Sequence, residues 1–347
     1  MMFIYHLFLF LSYFLSNIVS RNNADTECFD IYNPEDRRLD KTFLRLVQYN
    51  VEWLFVDHYS QFDCPGSKCT WKNITQAQEH LTYVSNVVRE LNPDIINFCE
   101  VEGCDELNMV ITNLDPSYKA YLKKGTDTGT GQNVGMITRI DPVVDLHRTE
   151  TKYTYPMEGS KCGYTGSSSS TGVSKHYITE FELNGINIAF IAAHLIAIPT
   201  DYARCAQREA QAQVLQNVVV EYINKNYEVI LLGDMNDYDA EVLDLNSDKP
   251  TSRVLDILKG LDGANKGKYL LTNAAYMIPQ DERFTDWWDS DNNCNTASIK
   301  DYSMIDHILL TDGLIPKIKD IFIYHGYKEY CGKMNSDHYP VVIDFAL

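Results

Sequence analysis

The sequence predicts a mixed α/β domain in which sheets are covered by helices. Short apolar runs alternate with loops from Phe43 to Leu347, and two long segments carry apolar residues at helical spacing. No linker rich in Pro, Gly or Ser divides this region. We therefore expect one domain over residues 43–347, preceded by a signal peptide at 1–20 and an extension at 21–42.

The predicted strands are short, and several are apolar on both faces. This pattern is typical of sheets that are covered on both sides. The strands are predicted at 44–49, 94–99, 134–138, 177–183, 186–193, 228–232, 305–310 and 340–345.

Two amphipathic helices accompany these strands. The first is predicted over 75–91, where Thr75 and Gln78 form a capping pair and Pro93 follows the end. The second runs from an Asp201 cap to about Asn224, with small and apolar residues along one stripe. Both helices are expected to cover a sheet.

The first 20 residues form an apolar block without an acidic group. Such a block is typical of a secretory signal peptide and predicts a secreted protein or one of the endomembrane lumen. Because no Lys or Arg precedes its apolar part, a retained N-terminal anchor is the alternative.

Nine cysteines all follow this block, which suits an oxidising compartment. Their odd number leaves at least one unpaired, and spacing does not fix the pairing, although Cys64 and Cys69 flank a turn and could close a small loop. A zinc site is disfavoured because no Cys-x-x-Cys occurs. The sequon at Asn73 predicts glycosylation at an exposed helix start.

The charge balance limits the classes of substrate. With 30 basic and 48 acidic residues, the net charge of −18 would repel phosphate polymers from most of the surface. It disfavours a tight, non-specific nucleic-acid binder. It remains compatible with an enzyme that contacts one or two phosphates through a metal ion held by carboxylates.

Polar residues able to bind metal follow the apolar strands, where sheet-based enzymes collect functional groups. Taken singly, each has an ordinary structural explanation, such as a turn or a solvated carboxylate. Their order is more informative. The blocks are LVQYN at 46–50, NFCE at 97–100, AHL at 193–195, GDMN at 233–236, MIDHI at 304–308 and SDHYP at 336–340.

In this order the six blocks resemble the signature of the endonuclease/exonuclease/phosphatase superfamily, in a deoxyribonuclease I-like, secreted form. The resemblance covers about residues 43–347. It implies a four-layer sandwich of two packed mixed β-sheets flanked by helices. It also implies a hydrolase that uses Mg²⁺, with Mn²⁺ or Ca²⁺ as alternatives, and attacks a phosphodiester with water.

The resemblance assigns roles to individual residues. Glu100 is implied as the first metal ligand, with Asn50 and Asp337 close to the same ion. Asp234 and Asn236 would position the nucleophile and the phosphate. His338 would contact the phosphate with its ring held by Asp306, and His194 would be a second catalytic histidine, most simply the general acid. Deoxyribonuclease I and neutral sphingomyelinases carry a histidine at the position of His194, whereas abasic-site endonucleases do not.

Other residues carry weaker predictions. Asn133 and Arg283 resemble family positions that face the substrate. The loop lysines that could face the site are Lys123, Lys124, Lys161 and Lys175. Structural or surface roles are expected for His176, His307 and His325.

Three functions follow from these features. The leading hypothesis is an extracellular nuclease-like phosphodiesterase that acts on nucleic acid, as a monomer without a stable protein partner. The rival is a sphingomyelinase or another phospholipid or inositol-phosphate hydrolase, for which Phe284, Trp287 and Trp288 are a candidate membrane-facing loop. The third is a catalytically inactive secreted binding protein.

Overall fold

Residues 28, 31–56, 70–289, 291–327 and 335–347 are described by the structure, a computed structural model of the chain. The predicted signal peptide and the cysteines Cys64, Cys69 and Cys331 lie outside these residues.

All eight predicted strands are present, with ends shifted by a few residues. The strands are β1 Phe43–Leu54, β2 Ile95–Val101, β3 Lys119–Leu122, β4 Asn133–Thr138, β5 Tyr153–Tyr155, β6 Ser169–Thr171, β7 Lys175–Leu183, β8 Ile186–His194, β9 Glu228–Asp234, β10 Thr272–Asn273, β11 Asp286–Trp287, β12 Tyr302–Ser303, β13 Asp306–Leu310, β14 Ile318–Ile323 and β15 Val341–Ala346.

The described strands form two main sheets of mixed direction. One has the order β14-β15-β1-β2-β4-β3, and the other has the order β10-β13-β9-β8-β7. Each contains one parallel pair, β1 with β2 and β8 with β9, while the other neighbours are antiparallel. Two small ribbons, β5-β6 and β11-β12, complete the described sheets.

The α-helices are α1 Ile74–Leu91, α2 Cys104–Thr112, α3 Tyr202–Asn224 and the short α4 Val254–Leu258. The Asp201 cap of α3 is confirmed, since its side chain accepts from Arg204 N at 2.8 Å. The predicted cap of α1 was wrong. Asn73 caps this helix by accepting from Gln76 N, because Thr75 already lies inside the first turn.

Three apolar clusters give the fold its layers. One lies between the sheets and includes Leu46, Phe190 and Ile343. A second joins the five-stranded sheet to α3 and α4, and a third joins the six-stranded sheet to α1 and α2. The four-layer sandwich expected from the resemblance is therefore confirmed, with helices on both outer faces.

Two disulfides lie in the described chain, Cys28–Cys104 and Cys162–Cys205, and Cys294 is also disulfide-bonded. Cys99 is a free, buried cysteine, in agreement with the odd count. These bonds fit an oxidising environment. In the part of the chain that the structure describes, we find no helix of the length and apolarity that a membrane crossing requires.

The segment before β1 is held to the sandwich by the buried carboxylate of Asp141. It accepts hydrogen bonds from Arg37 Nη2 at 2.5 Å, Tyr121 Oη at 2.7 Å and Lys119 Nζ at 2.9 Å. Burial alone would raise the pKa of Asp141, but the bonds from Arg37, Tyr121 and Lys119 outweigh burial and lower the pKa to about 2. The predicted domain boundary at Phe43 coincides with the start of β1, yet the preceding segment packs against the domain.

We predict that Asp141→Asn lowers the free energy of unfolding by roughly 1–3 kcal/mol at pH 7, because Arg37, Tyr121 and Lys119 lose a charged acceptor. A lowered pKa means that the carboxylate stabilises the fold above pH 3.8 and that this contribution is lost as the pH falls through about 2. Urea unfolding at pH 7 and pH 2.5 should show a smaller difference at the lower pH. Asp145→Asn is the control, since the exposed Asp145 accepts one bond, from Ile31 N. Equal effects of both variants at pH 7 would contradict the prediction.

Candidate active site

The predicted site residues converge where the two sheets face each other. Asn50 lies on β1 beside Cys99 of β2, next to Glu100, and His194 of β8 lies opposite Asp234 of β9. Both pairs belong to parallel strands, whose carboxyl ends lie at the same edge of a sheet. The amide Nδ2 of Asn50 donates to Asp234 Oδ2 at 3.0 Å and so joins the two sheets at the site.

Local backbone features aim the carboxylates. The register shift between β2 and β4 leaves Glu100 as an extra residue of β2, a bulge at which the backbone has a left-handed φ of 68°. Gly233 has a φ of 144° and passes so close to Ala193 that a Cβ would collide with its carbonyl oxygen. The first of these backbone features is at Glu100 itself, and the second directly precedes Asp234. Strained backbone is often found at functional sites.

Asn50 has a fixed amide orientation. Its Oδ1 accepts from Glu52 N at 3.0 Å, so its Nδ2 faces Asp234, Glu100 Oε1 at 3.4 Å and His338 Nε2 at 3.4 Å. Turning the amide over would place two donors against each other at Glu52. In this arrangement the amide nitrogen of Asn50 faces the site, and the closeness of Asn50 to a metal ion stays a prediction.

His338 and Asp306 form the predicted pair, with Nδ1 and Oδ2 separated by 2.7 Å. The other carboxylate oxygen of Asp306 accepts from Gln48 Nε2 at 3.1 Å. Burial by itself would lower the pKa of His338, but the negative charges of Asp306, Asp337 and Asp286 raise it well above its ordinary value. The ring is thus held with Nε2 toward the site.

Asp234 lies at the centre of the cluster. Its Oδ1 accepts from Asn236 N at 2.8 Å, while its Oδ2 faces Asn50 and lies 3.5 Å from His194 Nε2. Burial, followed by the charge of Asp306, raises the pKa of Asp234 to about 8. Asn236 joins the site through this contact, and its Nδ2 donates to Leu195 O at 3.2 Å.

His194 lies opposite these groups and is also buried. Its Nε2 faces Lys175 Nζ at 3.4 Å, Asp234 at 3.5 Å and Glu100 Oε1 at 3.9 Å. Burial, then the charges of Lys175 and His338, lower the pKa of His194 well below its ordinary value. A neutral imidazole fits a proton acceptor better than the general acid expected from the resemblance.

Two acids at the site were missed by sequence reasoning, Glu52 and Asp286. Glu52 Oε2 accepts from Asp337 N at 3.2 Å, and Asp286 Oδ1 lies 3.6 Å from His338 Nε2. Burial, opposed in part by His338, raises the pKa of Asp286 to about 6. The side chains of Asp286, Asp337 and His338 place ligand atoms within 4.8 Å of one another, so they could hold a metal ion. Glu52 could have been predicted from the sequence, because it lies two residues after Asn50. Asp286 could not, because only the pairing of β11 brings it to the site.

Asn133 and Arg283 are engaged elsewhere. Asn133 is buried, accepts from Gly125 N at 2.7 Å and donates to Glu102 O at 2.6 Å, so it holds loops together. The guanidinium of Arg283 donates to the backbone carbonyls of Ile278, Leu243 and Tyr276. These polar atoms already have backbone partners, and the substrate contacts expected for Asn133 and Arg283 stay predictions.

The remaining histidines and the aromatic residues of the candidate membrane-facing loop lie outside the cluster of site residues. His176 and His307 are buried and hydrogen-bonded to backbone, and His325 stacks on Phe284 with ring centroids 3.8 Å apart, as expected for structural histidines. Trp287 is buried, but Trp288 is 66% exposed. The candidate membrane-facing loop is therefore reduced to one exposed aromatic residue.

The family model for the Endonuclease/Exonuclease/phosphatase family matches residues 47–328, and the chain belongs to this family of phosphoester hydrolases. No curated protein sequence shows significant similarity to the chain. Solved structures share the fold at low identity, each aligned over 88% of this chain and 100% of the other. They include the 3'-5' exonuclease NExo from Neisseria meningitidis (16% identity, TM-score 0.55), an AP endonuclease from Archaeoglobus fulgidus (14%, 0.54) and a humanized D. rerio TDP2 (15%, 0.51).

We predict that Asp306→Asn lowers the pKa of the His338 imidazole, because a carboxylate that stabilises the imidazolium is replaced by a neutral amide. The pKa is measured by NMR titration of the ring nitrogens in metal-free protein, with His338→Gln used to assign the signal. Asp312→Asn, an exposed turn substitution, is the control. An unchanged His338 pKa in Asp306→Asn would contradict the interpretation of this pair.

Proposed function

We propose that the protein is a secreted phosphodiesterase that depends on a divalent metal ion, Mg²⁺ in the first place, and acts in a nuclease-like manner. The proposal rests on one observation: carboxylates from both sheets lie together beside two buried histidines, His194 and His338. Six carboxylates belong to this cluster: Glu52, Glu100, Asp234, Asp286, Asp306 and Asp337.

The donor set fits a hard divalent cation. Carboxylate oxygens are the ligands that Mg²⁺ prefers. Burial raises the pKa of Asp337 well above its ordinary value, and the neighbouring charge of Glu52 raises it further, so a bound cation would relieve a repulsion already present. Glu100 and Asp337 would hold the ion, with Asp286 as a further candidate. When bound, it would neutralise charge on the phosphate oxygens.

The chain's own residues divide the remaining tasks. Asp234, whose orientation is fixed by Asn50 and by Asn236 N, would orient the attacking water and accept its proton. His338, held by Asp306, would donate from Nε2 to a phosphate oxygen. His194 would accept a hydrogen bond at Nε2 and exclude water from the opposite side, and Asn236 would help to position the phosphate.

The substrate class is a separate part of the proposal. Nucleic acid is preferred because the fold is shared with a nuclease and an endonuclease, and one related 3' phosphatase structure is described as bound to a product DNA hairpin. The net charge of −18 limits contacts with phosphates beyond the cleavage point. The exposed Trp288 keeps a phospholipid as the second candidate. The catalytically inactive binding protein is less well supported, because competent side chains meet at the site.

We predict that the purified protein hydrolyses bis(p-nitrophenyl) phosphate with Mg²⁺ and loses this activity in EDTA. Asp234→Ala should lower kcat at least ~100-fold, as expected for loss of a group that takes part in proton transfer. His194→Ala should also lower kcat, because water would enter where the ring now excludes it. His147→Ala, which changes an exposed histidine, is the matched control. Full activity of either site variant, with the fold verified by circular dichroism, would refute the site.

The substrate class is tested by parallel assays on plasmid DNA, RNA, sphingomyelin vesicles and inositol phosphates, each with and without EDTA. Cleavage of nucleic acid supports the preferred class. Cleavage of lipid alone would overturn it in favour of the second candidate, and hydrolysis of none of them by a folded, metal-loaded protein would favour the binding protein.

Secretion has support of its own. The two described disulfides fit an oxidising compartment, and Asn73 of the sequon is exposed at the start of α1. Its Oδ1 is used to cap the helix, which leaves Nδ2 for a glycan.

We predict that the full chain expressed in a eukaryotic secretory host appears in the medium, cleaved near residue 20. Enzymatic deglycosylation should reduce its apparent mass, and Asn73→Gln should remove that shift. Thr82→Ala, which leaves the sequon intact, is the control. Retention in the membrane fraction would favour the N-terminal anchor instead.

A further inference from the structure

Lys175 is a buried lysine beside the candidate active site. It is the first residue of β7 and lies directly opposite His194 in the antiparallel register of β7 and β8, with 7% of the residue exposed. The sequence placed Lys175 in a loop with Lys161, which is exposed. Burial of an ammonium group is costly unless it is well paired, so its partners need an explanation.

The ammonium of Lys175 connects two parts of the site. Its Nζ lies 3.2 Å from Gln132 Oε1 and 3.4 Å from His194 Nε2, with Asp127 Oδ2 at 3.8 Å. Gln132 in turn donates from Nε2 to Glu100 Oε2 at 2.7 Å. A continuous series of contacts therefore runs from His194 through Lys175 and Gln132 to Glu100.

The direction of these hydrogen bonds follows from chemistry. An ammonium group has donors only, so Gln132 must turn its oxygen toward Lys175 and its nitrogen toward Glu100. Glu100, which only accepts, selects the same orientation from the other side, since it needs the nitrogen of the amide. Lys175 thus anchors the amide oxygen and holds Gln132 in the place from which it supports Glu100.

The same argument applies to His194. Its Nε2 must accept from Lys175, so the neutral ring carries its proton on Nδ1. Within the described residues Nδ1 is buried and has no hydrogen-bond partner. An unpaired buried donor costs about 1–3 kcal/mol, which indicates that the position of Nε2 is imposed by its neighbours.

We propose that Lys175 is a positioning residue of the active site, which orients Glu100 through Gln132 and the His194 ring directly. This inference rests on the proposed function, because it treats Glu100 as a metal ligand. Lys175 does not need to contact the substrate. Partners behind metal ligands commonly change metal affinity or activity by about 10–100-fold when they are removed.

The test is a double-mutant cycle of Lys175→Met and Gln132→Leu. Mg²⁺ affinity is measured by calorimetry on the full mature protein, and kcat and KM are measured on bis(p-nitrophenyl) phosphate. We expect each single variant to weaken Mg²⁺ binding ~10-fold and the double variant to bind no more weakly than the singles, because both substitutions break one series of contacts. Lys175→Arg, which keeps the donors and the charge, should recover part of the affinity, and Lys161→Met should behave as wild type.

The outcomes separate the two proposals. Mg²⁺ binding by Lys175→Met that equals or exceeds that of wild type, or additive losses in the double variant, would overturn the positioning role while the proposed function stands. Wild-type protein that neither binds Mg²⁺ nor hydrolyses the diester would instead refute the proposed function. If Lys175→Met is unfolded by circular dichroism, Lys175→Gln replaces it in the cycle with the same expectations.

Discussion

The hydrogen bond between Asn50 and Asp234 is the contact on which the arrangement of the site depends. It joins β1 of one sheet to the end of β9 in the other, at 3.0 Å. Because the sheets pack through an apolar cluster, their separation is set by side-chain packing. The polar groups beyond that cluster therefore meet in a fixed geometry, and a small shift of one sheet would separate them.

This geometry places several buried carboxylates close together, where they repel one another. Burial raises the pKa values of Asp234, Asp286 and Asp337, and repulsion from nearby carboxylates raises them further. Carboxylates with raised pKa values are common at functional sites, and they agree with the cation proposed above. The pKa values of the two histidines shift in opposite directions. Burial, then the charges of Lys175 and His338, lower the pKa of His194, whereas the carboxylates around His338 outweigh its burial and raise its pKa.

Most of the fold was predictable because its main strands are apolar runs, several of them apolar on both faces. The exceptions have physical causes. β3 and β14 are partly exposed edge strands, and the short ribbons depend on tertiary contacts that leave no period in the sequence. Eight predicted catalytic and metal positions were brought together, since their order in the chain follows the strand ends. Asp286 and Gln132 were missed because their relation to the site arises only when separate strands pair.

The buried carboxylate of Asp141 has a consequence for where the domain begins. The family match starts at residue 47 and β1 starts at Phe43, so a protein cut at either point would seem complete. Such a cut would remove Arg37 and the backbone of Glu35 from Asp141, which accepts hydrogen bonds from both. The segment before β1 therefore packs on the family-defined region, and a shortened form would leave Arg139 and Ile140, just after β4, without their backbone contacts to Arg37 and Asp36.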